Sequence, residues 1–294
     1  MKYAIVHKTT YNYSSAVHQS YHLLHLEPAA VEHQTIHRHR LTISPQPGMR
    51  EDHVDYFGNP TTLLAIEQVH EHLTVESNSE ISVVRSFTGN VENSEDWRDL
   101  SDLSGTGAKL QGGMDVWQFS APSRHGRRLR QLADYAAASF PPGQPILAGC
   151  HDLMERIYTE FTFDPQATDV SSRVEDVLAA KRGVCQDFAH LMISALRSLG
   201  LPARYVSGYI LTHPPEGQEK LQGADASHAW VSVWSPRHGW VEFDPTNNVI
   251  PRGEHIVFAY GRDYDDVSPI SGVLLGGGAH SVDVAVDVVP LGGA

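Results

Sequence analysis

Three residues carry the chemistry this sequence can be read for: Cys185, His228 and Asp244. Cys185 opens an apolar stripe, with Ala189, Met192, Leu196 and Leu199 following at spacings of four and three, and Gly200 and Pro202 closing it. That spacing predicts a helix with the thiol in its first turn. Gly183 precedes it, and no Ser, Thr, Asp or Asn stands immediately ahead to cap, so the first N–H groups are expected to be free. The helix dipole there favours a thiolate, and the same N–H groups can hold an oxyanion when a carbonyl is attacked. Taken alone, a cysteine at such a place is ordinarily a small core residue. The segment SHAWVSVWSPRHGWVEFDPT changes that balance. In an alternating strand His228, Trp230, Ser232 and Trp234 share one face; after a turn, Trp240, Glu242 and Asp244 share one face of the next. An antiparallel hairpin centred in the turn brings His228 and Asp244 side by side within about two residues of register. A thiol, a histidine and an aspartate so arranged supply nucleophile, general base and orienting group.

The elements that must position them follow from the pattern on either side. Residues 1–86 alternate in short runs (KYAIVHKTTYNY, HRLTISPQP, HLTVESNSEISVV) split by polar or Pro/Gly turns, and are expected to form an all-β, sandwich-like N-terminal domain. Residues 87–123 turn to Gly, Ser, Asn and Asp and read as a linker. Residues 124–294 carry helical stripes first and strands after, the last strand being VDVAVDVV, and read as the α+β catalytic core.

The blocks RGVCQDFAHLMISALRSLGLPARYVSGY, ASHAWVSVW and GWVEFDPTNN resemble the transglutaminase-like superfamily, papain-like thiol enzymes with Cys, His and Asp in that order. HKTTYNYSSAV, LEP, the FGN turn, LTV and GRDYDDVSPISG are similar to the bacterial members that carry an all-β region ahead of the core. The resemblance implies Cys185 as nucleophile, His228 as base and acid, and Asp244 as its partner. It implies a papain-like core, the helix bearing the cysteine packed on an antiparallel sheet. It leaves the substrate open, since the superfamily spans cross-linking enzymes, peptidases, amidases and members without the cysteine.

The chain departs from the animal cross-linking enzymes, which use a tryptophan upstream of the cysteine to hold the oxyanion. No tryptophan lies between Trp117 and Cys185. The Cys185 N–H and the Gln186 side chain are the candidate donors, Gln186 reading equally as a solvated first-turn residue. No calcium loop of the Asp-x-Asp-x-Asp-Gly kind occurs, so no cofactor is expected. His37 and His39 share a strand face, but no His-x3-His pair or cysteine stands near, so no metal is expected there either. Trp230, Trp234 and Trp240 can line a substrate groove or pack the sheet. Asp263, Asp265 and Asp266 can meet a cationic amine or peptide N-terminus, or fix the C-terminal segment as an acidic turn. Cys150 is expected to pack inside its helix, and His190 to lie at the surface.

The expected activity is hydrolysis of a peptide or amide bond through a thioester, because little in the sequence is built to exclude water. A true transglutaminase and a non-catalytic binding module on the same fold are the alternatives. The net charge of −13, from 22 Lys and Arg against 35 Asp and Glu, repels phosphate backbones and anionic lipid. The expected partner is therefore a peptide or protein substrate, with neither nucleic acid nor membrane. Two cysteines make no disulfide framework, and the opening MKYAIVHKTTYNYSS is unlike a signal peptide; a cytoplasmic location is expected. Eighteen histidines would carry the net charge from −13 to +5 if all were protonated.

Overall fold

A computed structural model describes residues 1–84, 87–106, 113–166, 172–212, 225 and 227–292. The N-terminal region is all β, as expected: β1 (Lys2–Leu24), β2 (Gln34–Ser44), β3 (Met49–Val54), β4 (Pro60–Ile66) and β5 (His70–Val83). Strand β1 alternates buried Tyr3, Ile5, His7 and Thr9 with less buried neighbours, which is what a two-residue repeat requires of a sheet with one covered face. Its register against β5 breaks between Asn12 and Val17, resumes at Val17↔His70, and from Ser20 to Leu24 it pairs with β4 instead. One continuous antiparallel sheet results, in the order β2-β5-β1-β4-β3.

The stretch read as a linker is folded. It holds α1 (Trp97–Thr106), α2 (Gly113–Trp117) and a 3-10 turn at Gln118–Ser120, and it buries Phe87, Leu100, Val116 and Phe119. Those apolar residues follow no regular spacing, so no periodicity announces them. The core continues through α3 (Arg130–Ala137), α4 (Ile146–Glu160), β6 (Thr162–Phe163), α5 (Val174–Ala180), β7 (Arg182–Gly183), α6 (Cys185–Ser198), β8 (Ala203–Ile210), β9 (Ser227–Ser235), β10 (Gly239–Phe243) and β11 (His255–Gly261). Helix α6 packs its buried face on the antiparallel sheet β10-β9-β8-β11, against Ala203, Tyr205, Val231 and Val233. The fold is thus α+β, with the cysteine-bearing helix on an antiparallel sheet.

Two strands remain, β12 (Ile270–Gly276) and β13 (His280–Pro290), and both pair with β1. The last strand therefore belongs to the N-terminal sheet and not to the core, contrary to the division read from sequence. Chain order misled there: β13 runs from Tyr3↔Pro290 to Tyr13↔His280 along the β1 edge opposite β5. Its Val286 and Val288 close an apolar cluster with Tyr3, Ile5, Ile81 and Val83 on one side and Tyr209, Leu211, Ile256 and Phe258 of the core on the other. No helix among the described residues is long and apolar enough to cross a membrane.

Candidate active site

The N-terminus of α6 is set by what precedes it. A two-residue parallel bridge pairs Thr162 with Arg182 and Phe163 with Gly183, fixing the approach of the chain. Val184 is the N-cap, extended at φ −113°, and no side chain caps the first turn. Asp187, three residues on, reaches back and accepts a hydrogen bond from the Val184 N–H at 2.8 Å. This is half of a capping box, since valine has no acceptor to return. At the far end Gly200, at φ +82°, allows Gly200 and Leu201 N–H groups to satisfy the carbonyls of Arg197 and Leu196. Arg197, fully buried, donates to the carbonyls of Phe119, Gly126, Ala203 and Arg262 and so ties α6 to the surrounding loops.

Cys185 is half-buried at the first position of α6, with its thiol close enough to the His228 ring to help raise it. That ring meets Asp244 directly: His228 Nε2 to Asp244 Oδ2 is 2.7 Å. The hairpin register runs from Gly239↔Ser235 to Phe243↔Val231, which puts Asp244 one step past the strand end and diagonally across from His228. Asp244 has no exposed surface. Its Oδ1 accepts from the N–H groups of Thr246 and Asn247 at 2.9 and 3.2 Å, and its Oδ2 also accepts from Asn247 Nδ2 at 2.7 Å and His255 Nε2 at 2.9 Å. Burial alone would raise this carboxyl, but the charges and hydrogen bonds of His228 and His255 hold it far below the usual carboxylate range. Burial would likewise lower His228; the Asp244 charge and hydrogen bond, with the Cys185 thiol behind them, push it up to about 10.

His255, on β11, is the residue that sequence reasoning missed. It sits outside the three recognisable blocks, and only the pairing of β11 with β8 brings it to Asp244. His228, Asp244 and His255 are also the group among the described residues whose ligand atoms gather most like a metal site, within 4.8 Å. The separations of 2.7 and 2.9 Å argue for protons between them, since two ligands at about 2.0 Å from a tetrahedral zinc stand about 3.3 Å apart.

The remaining candidates divide. Gln186 is half-buried beside Cys185, and its side chain makes no hydrogen bond to any described residue. Trp230 is wholly buried and cannot line a substrate groove: its Nε1 donates to Glu242 Oε2 at 3.1 Å, and its ring stacks on His228 with centroids 5.9 Å apart. It is the wall behind the histidine. Asp263 is buried as well, accepting from the N–H groups of His125 and Asp265 at 2.9 and 3.1 Å, which leaves no face for a cationic ligand. Asp265 is partly exposed and pairs with Arg124 at 3.0 Å and His125 at 3.2 Å, as an acidic turn fixing the chain does. His190 is not at the surface; it lies buried under His125, with ring centroids 4.9 Å apart, and burial drives it down to about 3 with His125 beside it. Cys150 packs inside α4, where burial pushes its thiol far above the ordinary range.

Comparison with known proteins matches both regions of the chain. Residues 3–82 match the bacterial transglutaminase-like N-terminal region, and residues 134–245 match the transglutaminase-like superfamily core. Over 297 residues the chain is 38% identical to the uncharacterized protein Rv2569c of Mycobacterium tuberculosis, covering 99% of this chain and 94% of that one. The chain belongs to the transglutaminase-like superfamily. Within the superfamily it is also 33% identical over 140 residues, 46% of this chain and 20% of the relative, to a protein-glutamine gamma-glutamyltransferase of Pseudomonas aeruginosa. A candidate cysteine protease from Cytophaga hutchinsonii shares the fold of this superfamily member end to end, with TM-score 0.77 at 20% identity over 100% of this chain and 92% of that one.

Proposed function

We propose that the protein is a thiol-dependent acyl-transfer enzyme that opens an amide bond through a thioester on Cys185 and resolves it with water. The observation that carries this reading is the His228 ring bonded at 2.7 Å to the buried Asp244 carboxylate, with Cys185 at the start of α6 close enough to raise the same ring. The Cys185 sulfur attacks the amide carbonyl, and the carbonyl oxygen takes the negative charge within reach of the uncapped first-turn N–H groups of α6 and the unengaged Gln186 amide. His228, protonated, gives its proton to the departing amine as the C–N bond breaks, leaving the thioester. It then takes a proton from water, whose oxygen attacks the thioester; the C–S bond breaks, and a carboxylic acid leaves the thiolate beside the reprotonated His228. Asp244 holds the imidazole in place and stabilises its charged form throughout.

An acceptor amine in place of water would make the reaction a transamidation, the reading favoured by the likeness to the Pseudomonas aeruginosa glutamyltransferase. Incubating the protein with a peptide library, with and without a primary amine, and identifying products by mass spectrometry separates the two. Carboxylic acid products in both arms are expected. Amide products dominating at millimolar amine would replace hydrolysis by transfer, and an inert Cys185 with no acyl adduct would leave a binding module.

A further inference from the structure

On the face of the core sheet turned away from α6, the core meets the N-terminal region around a cavity of about 760 Å³. That volume is in the range of small-molecule sites, on the order of 300–1,000 Å³. Its walls come from both regions: Val31 and His33 beside Phe57 on one side, and Trp234, Trp240 and Tyr260 on the other.

Arg204 of β8 lies in this cavity and is built in an unusual way. Its guanidinium is clamped between two rings, 3.6 Å from the Tyr260 centroid and 4.3 Å from that of Trp240. Two ring faces fix the plane of the cation and strip water from it without taking its hydrogen bonds. It forms no ion pair with a carboxylate among the described residues, and its Nε is buried with no partner. Burial disfavours the charge, and the neighbouring Tyr260 and Glu242 offset that in part. Of the two carboxylates on the cavity wall, Glu32 is exposed and Glu242 is already engaged: its oxygens accept from Trp230 Nε1 at 3.1 Å and from the Tyr260 hydroxyl at 2.9 Å. A cation oriented by two rings, with its buried Nε lacking a partner, inside a ligand-sized cavity calls for an anionic complement. A carboxylate presents two oxygens to the guanidinium fork, and a flat body behind it would lie among the surrounding aromatic rings.

We propose that this cavity is a receptor for a planar organic carboxylate, with Arg204 as the residue that recognises it. The site is separate from Cys185 and does not rest on the thiol chemistry, because the buried Trp230 stands between. Benzoate is the probe and benzamide its uncharged match, titrated by calorimetry into the full chain before and after Cys185 is blocked with iodoacetamide. Saturable benzoate binding is expected, weakened about tenfold or more for benzamide and for Arg204→Gln, and unchanged by the block. A dipeptide ending in phenylalanine, compared with its C-terminal amide, tells whether a peptide terminus or a free acid fits better. If Arg204→Gln does not fold, wild-type protein treated with phenylglyoxal and mapped by mass spectrometry gives the same answer, since benzoate must protect Arg204. Equal binding of benzoate and benzamide, loss of binding on blocking Cys185, absence of saturation, or no protection of Arg204 would each overturn the assignment.

Discussion

Asp244 serves two histidines through a single oxygen, and they differ in what lies behind them. His228 has the Cys185 thiol near it, whereas the Nδ1 of His255 is buried with no partner among the described residues. His255 therefore acts on the proposed chemistry through Asp244, as a positioning residue. Replacing it by leucine removes one of three donors to Asp244 Oδ2, and activity should fall about tenfold, with glutamine, which keeps a donor, recovering part of the loss. The alkaline limb of the pH profile should also move upward in the leucine variant, because an Asp244 relieved of one donor holds the His228 proton more firmly. Activity that is unchanged in both variants would remove His255 from the site. For the wild-type protein the sign is set by His228: as the proton donor to the leaving amine it must be charged, so kcat/KM should decline as pH rises through about 10. The stability that the raised His228 adds follows the same course, full below about 6.5 and lost as pH climbs through 10. The thiols differ as sharply. Iodoacetamide at mildly acidic pH should label Cys185 and spare the wholly buried Cys150, and peptide mapping reads the ratio directly.

Helix α6 is the element on which the site depends, and its first turn is set by a contact between neighbours. A Cβ placed on Gly183 would come 2.8 Å from Asp187 Oδ2 and 2.9 Å from Asp187 Cβ. Gly183→Ala should therefore push Asp187 off the Val184 N–H and shift the start of the helix with Cys185 on it. Asp187→Ala leaves that space open and loses the cap, at a cost of about 1 kcal/mol. The expected order in alkylation rate and thermal melt is wild type, then Asp187→Ala, then Gly183→Ala; an unaffected Gly183→Ala would show that this packing does not set the thiol. The helix was legible in the sequence because its stripe and its Gly-Leu-Pro stop are local signals. So was the approach of His228 and Asp244, which a hairpin of known turn length dictates. The roles of Trp230 and Asp263 were not, since alternation tells which residues share a face and not whether that face meets solvent or another layer. The folded stretch at 87–123 escaped for a related reason: Phe87, Leu100, Val116 and Phe119 are anchors spaced without a period.

At the scale of the whole molecule, the histidines turn acid into a destabilising agent. His7 and His22 are driven down to about 4 and His190 to about 3, chiefly by burial. Each is neutral in the folded state at pH values where the unfolded chain, near 6.5, is already protonated. Stability from these groups is complete above about 6.5 and is lost as pH falls from there toward 4, with protons taken up on unfolding. Melts at pH 7.5, 5.5 and 4.5 should show Tm descending through that window; a flat Tm would mean the three rings are hydrated. The apolar cluster joining the two regions makes a second claim. Phe258→Ala, which opens a cavity among Tyr209, Ile256 and the β13 valines, should cost about 3–5 kcal/mol and loosen the N-terminal sheet with the core. Strand β1 has a consequence of another kind. Its partners β12 and β13 lie some 250 to 290 residues further along the chain, so one edge of the sheet stays open until the chain through β13 has been synthesised. Closure across so long a separation is slow, and an unpaired strand of that length is a template for other chains while it waits. Folding of this protein should thus be limited by the arrival of its last strands, and the interval before they dock is when it is most exposed to aggregation.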